Sequence, residues 1–162
     1  MNQEEKSIRR DRMRFIKNSL SATLTYIAIL FNVFFFISIY ESNVGSWYYN
    51  ILMGASILYN LLFMLAAFLC SEGIKNYKES YAYMMIALGV AQLVRIAFYP
   101  MLATSNTVAI SGEDVIVMTN GQFVKVVAYL IISAACLIGG AIVGIIRSRE
   151  LKAHLASLGL NA

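Results

Sequence analysis

The sequence predicts an all-α membrane protein, a four-helix transmembrane bundle, and three observations carry that prediction. Apolar residues make up 59% of the 162 positions and charged residues only 14%, where a soluble domain carries about a quarter charged. Four apolar runs are long enough to cross a hydrocarbon layer of about 30 Å, which takes about 20 helical residues. The basic residues gather in the connections on one side of those runs. A single proline and ten glycines exclude a collagen-like or disordered chain, and two cysteines exclude a disulfide scaffold.

The runs are 19–40, 47–70, 81–103 and 123–146, each of 22 to 24 residues. Residues 1–162 form a single polytopic domain. Peptide groups cannot stay unpaired in lipid, so each run is expected to be helical despite its β-branched residues. The first run is too long for the 7–15-residue apolar stretch of a signal peptide and reads as an uncleaved first helix.

Direction follows from lysine and arginine. Lys6, Arg9, Arg10, Arg12, Arg14 and Lys17 precede the first run. Lys75 and Lys78 join the second to the third, and Arg147, Arg149 and Lys152 follow the fourth. These are eleven of the thirteen basic residues, while 41–46 and 104–122 hold none. Both termini are therefore expected to be cytoplasmic, in a multi-pass protein of the cell (inner) membrane. The rule accounts for the net charge of +4 with no nucleic-acid partner. Trp47, Tyr48 and Tyr49 begin the second run, and Tyr40, Tyr77, Tyr81, Tyr83 and Tyr99 flank other ends. Such amphipathic rings favour head-group depth and read as an interfacial belt.

Outside the spans, residues 4–18 read as a basic cytoplasmic helix running into the first span. Residues 147–160 continue the fourth span as a cytoplasmic helical tail. Its stripe of Leu151, Leu155 and Leu158 needs cover, Gly159 is its stop, and His154 is a surface residue rather than a metal ligand. Segment 104–122 places two short β-branched runs around Ser111, Gly112, Glu113 and Asp114. That pattern predicts a small extracytoplasmic β-hairpin between helices 3 and 4. A lone hairpin is marginal in water, so this one should rest on the bundle or on another protein.

Polar residues within a span are functional candidates, and their depths decide which can meet. At 1.5 Å per residue, Asn32, Arg95 and Ser56 all lie about 12–13 Å below the outer ends of their runs, with Tyr129 at about 9 Å and Ser133 at about 15 Å. They form one expected polar layer. Gln92, Arg95 and Tyr99 share a helical face, and Glu41 stands where it could meet the arginine's guanidinium. Three readings stand for Arg95: a structural clamp, a bond to a partner protein's carboxylate, and a site for an anionic solute or lipid head group. Asn60 is placed deeper, at about 20 Å, and Lys125 reads as an interfacial anchor. Pro100 removes the donor that would bond Ile96, so the third helix should kink or end there. On the fourth run Ser133, Cys136, Gly140 and Gly144 make one small-residue face, suited to close helix packing within this bundle or on another subunit.

No Asp or Glu lies within a span, which argues against proton-coupled transport. No metal-ligand cluster, phosphate loop or nucleophile motif is present, and the two cysteines differ too much in depth for a disulfide. No catalytic residue, metal or cofactor is expected. The expected function is that of an accessory or assembly subunit of a larger membrane complex such as a transporter. It would meet other membrane subunits through helix 4 and the 104–122 hairpin. The alternative is a homo-oligomeric carrier, flippase or channel, with Arg95, Gln92, Asn32 and Tyr99 lining a path for an anionic or polar solute.

Overall fold

The computed structural model describes residues 17–41, 50–98, 100–104, 107–110 and 113–157. The basic segment before Lys17, the aromatics Trp47, Tyr48, Tyr49 and Tyr99, and Leu158 and Gly159 lie outside the described residues. Five helices and two strands follow in order: α1 Ser19–Tyr40, α2 Asn50–Lys75, α3 Glu79–Phe98, α4 Pro100–Thr104, β1 Thr107–Ile110, β2 Glu113–Ile116 and α5 Asn120–Ser157. Four of the helices, α1, α2, α3 and α5, are long and apolar enough to span a membrane.

The distribution of side chains is that of a protein dissolved in lipid. Leu58, Leu61, Leu62 and Leu65 of α2 are each more than half exposed, while Asn32, Asn60, Gln92, Ser133 and Arg95 are buried. In water the reverse holds, because exposed apolar area is unfavourable and buried polar groups need partners. In hydrocarbon the lipid-facing leucines cost nothing, and the polar groups must find one another.

Helix α5 packs mainly on α1 and α3, and α2 closes the bundle by touching α1 and α3. The α1–α5 seam is made of small residues. Ser21 Oγ donates to the Gly140 carbonyl and Ser133 Oγ donates to the Ala28 carbonyl at 2.9 Å. Ala22, Ala28, Ala134 and Ala141 are buried beside them. A Cβ on Gly144 would overlap the Ile74 side chain, so that position admits no larger residue without a shift. The small-residue face expected on the fourth helix is thus used inside the bundle at Ser133, Gly140 and Gly144, with Cys136 half-buried beside it.

Two ends can be distinguished. At one, α2 and α3 are joined by a three-residue turn, with Tyr77 in the left-handed region at φ 60. There the Ser148 hydroxyl donates to the Tyr77 carbonyl at 3.2 Å. Asn18 does not continue a helix into α1. Its side chain accepts from the Ser21 N–H at 3.5 Å, and its own N–H donates to the Lys75 carbonyl at 3.1 Å. An asparagine in that role starts a helix, because it satisfies a donor that the first turn leaves open. Residues 17 and 18 are not helical, and the rest of the expected basic helix 4–18 lies outside the described residues. Glu79, in the first turn of α3, pairs with Lys152 at 2.7 Å and Arg149 at 3.7 Å. It thereby ties the continuation of α5, which stays helical to Ser157, to the bundle.

At the other end β1 and β2 pair antiparallel, with Thr107 opposite Ile116 and Ile110 opposite Glu113. The chain then descends into the bundle. Val117 and Met118 are buried with Phe35, Ile39, Ala103, Val126 and Leu130. The third helix ends at Phe98, and Pro100 opens the short α4. A proline is tolerated at a first helical position, where its missing N–H breaks no bond.

Candidate functional site

Three apolar layers stack along the bundle, and the polar cluster lies between two of them. Phe35, Val126 and Leu130 belong to the layer at the strand end, and Ala28, Phe63, Ala67 and Leu137 to the middle one. Between these layers all four long helices contribute a polar side chain: Asn32 from α1, Asn60 from α2, Gln92 and Arg95 from α3, and Ser133 from α5.

Arg95 organises the cluster and is only 4% exposed. Its Nη1 donates to Asn60 Oδ1 at 2.9 Å and reaches Asn32 Oδ1 at 3.5 Å. The guanidinium carbon lies 4.2 Å from the centre of the Phe35 ring and 4.9 Å from that of Tyr59. Gln92 Nε2 donates to Asn32 Oδ1 at 2.9 Å and to Ser133 Oγ at 3.3 Å. Asn60 Nδ2 donates to the Ser56 carbonyl at 2.9 Å. The amide oxygens turn toward the cation and the ring faces lie against it. Both arrangements stabilise a positive charge. Arginine near a helix centre costs about 2.5–3.5 kcal/mol on an insertion scale, and these neutral partners offset part of that cost. Asn32 Nδ2 and Gln92 Oε1 are buried with no hydrogen-bond partner in this structure. Each such atom costs about 1–3 kcal/mol.

The expected layer is assembled in part. Asn32, Gln92, Arg95 and Ser133 meet. Ser56 is buried one turn from Asn60 and contributes its carbonyl. Tyr129 stands aside, its ring 6.0 Å from Phe31 and 5.9 Å from Phe34. Glu41 does not reach the arginine. It pairs with Lys125 at 3.4 Å on the exposed end of α1, because an exposed lysine lies nearer to it than the buried guanidinium. Tyr99 lies outside the described residues. Asn60, placed too deep by counting from residue 47, is a direct ligand of the guanidinium. Depth counting ignored the reach of an arginine side chain, which spans more than a helical turn. Phe35 and Tyr59 were not anticipated, although each sits on the face of a cluster residue: Phe35 three residues after Asn32, and Tyr59 three after Ser56.

Arg95 also forms the floor of a cleft. α2 and α3 are held close near their connecting turn, where Gly73 meets the Tyr81 ring and Ile74 packs with Ala82 and Met85. Toward the strand end Tyr59 of α2 and the α3 residues from Ala87 to Phe98 line a cavity of about 460 Å³. Tyr59 and Arg95 lie at its base, and Ala87, Ala91, Val94 and Phe98 line its α3 side. Ala87, Val94 and Phe98 are exposed on the bundle surface, so the cleft opens sideways into the lipid. Among the described residues no group of three His, Cys, Asp or Glu side chains could hold a metal ion. A fixed cation in an apolar surround can recognise an anion, but it offers no proton donor or acceptor near neutral pH. No family model, curated protein or solved structure matches this chain.

Proposed function

We propose that the protein is a non-catalytic integral membrane protein that serves as an accessory or assembly subunit of a larger membrane complex, such as a transporter, in the cell (inner) membrane. One observation carries the reading: the Arg95 guanidinium floors an apolar cleft that opens toward the lipid. A polar residue within a span marks a functional contact, and an apolar cleft beside it offers a surface on which another subunit can pack. The neighbouring face of α5 supports a narrower view of where partners bind. Its small residues are taken up by α1 and by Ile74 of α2, which leaves the α2–α3 side for contact with other subunits.

In this reading both termini face the cytoplasm, and the β1–β2 pair with the Glu41–Lys125 ion pair faces outward. The bias of eleven basic residues toward one side supports that orientation. The test is native electrophoresis of the full chain extracted from its own membranes in mild detergent. A slower-migrating species containing a second polypeptide is expected. A protein that always runs as an isolated monomer ends the proposal.

A further inference from the structure

We infer that the polar cluster is a binding site for one ordered water molecule, held between Asn32 of α1 and Gln92 of α3. The site lies in the interior of the bundle, so it stands apart from the subunit reading. Asn32 and Gln92 are fully buried. Each carries one polar atom with no hydrogen-bond partner within the chain, Asn32 Nδ2 and Gln92 Oε1. One is a donor and the other an acceptor.

The other bonds of the two amides fix which way they point. Ser133 Oγ gives its one hydrogen to the Ala28 carbonyl at 2.9 Å. Toward Gln92 it can only accept, so the Gln92 atom facing it at 3.3 Å is Nε2. The second hydrogen of that Nε2 goes to Asn32 Oδ1 at 2.9 Å. Asn32 Oδ1 also faces Arg95 Nη1 at 3.5 Å. Both neighbours of Oδ1 are donors, and turning the Asn32 amide over would set its N–H groups against them. Turning the Gln92 amide over would set Oε1 against Asn32 Oδ1. Either exchange breaks bonds and repairs none. The bonds already made therefore force one donor and one acceptor to stay open.

Three properties identify the occupant. It must accept from Asn32 Nδ2 and donate to Gln92 Oε1, and water does both. It must be neutral, because the Asn32 N–H groups repel a cation and the Gln92 carbonyl oxygen repels an anion. It must be small. Phe35, Val126 and Leu130 close one side of the cluster, and Ala28, Phe63, Ala67 and Leu137 close the other. Neither Asn32 nor Gln92 lines the α2–α3 cavity. An organic solute or an acyl chain would have to open one of those layers. Buried waters serve polar groups left open in this way. Immobilising one costs less than leaving a donor and an acceptor unmade in a hydrocarbon surround. The water would add a second link between α1 and α3 beside the Gln92–Asn32 bond.

The experiment is solid-state NMR of the full chain in lipid bilayers, reading magnetisation transfer from water to labelled amides. Asn32 lies eight residues from Tyr40, about 12 Å below the end of α1, where bulk water does not reach. The exposed side chain of Asn76 in the α2–α3 turn is the wet reference. The backbone amides of Ala28 and Leu137 in the apolar layer are the dry one. Transfer to the Asn32 side-chain amide should be at least tenfold faster than to Ala28 and Leu137. Gln92→Met keeps the length of the side chain and removes the acceptor, and in that variant transfer to Asn32 should fall at least tenfold. If the variant does not fold, the wild-type comparison decides alone.

An Asn32 side chain as dry as Ala28 and Leu137 overturns the inference. So does transfer to all three at one rate, which would make the bundle wet throughout. Transfer from acyl-chain protons in place of water overturns it too. A folded Gln92→Met with undiminished transfer places the water elsewhere and also refutes the site. A chain that runs as a monomer in native electrophoresis overturns the subunit reading and leaves this inference standing.

Discussion

Asn60→Ala tests whether the polar cluster is an energetic unit. The substitution removes the acceptor 2.9 Å from Arg95 Nη1 and leaves the guanidinium with Asn32 Oδ1 at 3.5 Å and the Phe35 and Tyr59 rings. A hydrogen bond to a charged group is worth about 1.5–3 kcal/mol. Polar pairs between transmembrane helices average only about 0.6 kcal/mol, with a maximum near 1.7, because the separated helices also find partners. Here the donor is charged and buried, which argues for the upper part of that membrane range. Asn32 shifting closer restores part of the loss. The expected destabilisation is about 1–1.5 kcal/mol, a change of roughly sixfold to twelvefold in the unfolding equilibrium. Reversible unfolding in bicelles, followed by steric trapping, reads that range. Asn60→Asp should move the other way, since it places a carboxylate against the same guanidinium. If Asn60→Ala changes stability by less than about 0.3 kcal/mol, within the scatter expected of unconnected sites, the hydrogen bond contributes nothing and the cluster is not a unit.

Other predictions address separate parts of the fold. Gly144→Leu should destabilise by about 1–3 kcal/mol through overpacking against Ile74, whereas Gly139→Leu, where a Cβ meets nothing within 4 Å, should be neutral in the same assay. Asn18→Ala should cost about 1 kcal/mol by removing the cap of α1, read as faster amide exchange at Ser21 and its neighbours. Glu79→Gln releases Lys152 and Arg149. It should speed proteolytic cleavage within 147–157 in low salt, and the difference from wild type should shrink in high salt. A periplasmic reporter inserted between Gly112 and Glu113 should be active and one at the C terminus inactive. The opposite pattern refutes the proposed orientation.

The helices were legible because the bilayer leaves the chain few options. A run such as 19–40 must be helical in lipid, and α1 has those bounds. The break at Pro100 was equally legible, since a proline in that register has one local consequence. Boundaries set by water were less so. α2 continues to Lys75, past the expected end at residue 70, because helices run on past the hydrocarbon until a turn or cap stops them. The site was half legible. Depth arithmetic grouped Asn32, Arg95 and Ser133, but it treats side chains as points on an axis. It therefore misplaced Asn60, and it drew Glu41 toward an arginine when an exposed lysine lay closer. The cleft was not legible at all, since it depends on the angle between α2 and α3 and no single residue encodes that angle.

The packing of the helices follows from how the small residues are distributed. α1 and α5 carry serine, alanine and glycine at their seam and lie close together along it. α2 packs through Gly73 against the Tyr81 ring, through Cys70 with Ala82, and through Phe63 and Ala67 with Ala28 and Leu137. Asn60 and Tyr59 contact the guanidinium. The cation thus takes partners from several helices. Arg95→Leu with Asn60→Leu gives an apolar pair of similar bulk, and such replacements of buried polar groups are often neutral or stabilising. The double variant should fold at least as well as wild type in the same bicelle assay. A double variant that is clearly less stable would refute this and show that the polar cluster stabilises the bundle beyond an apolar pair.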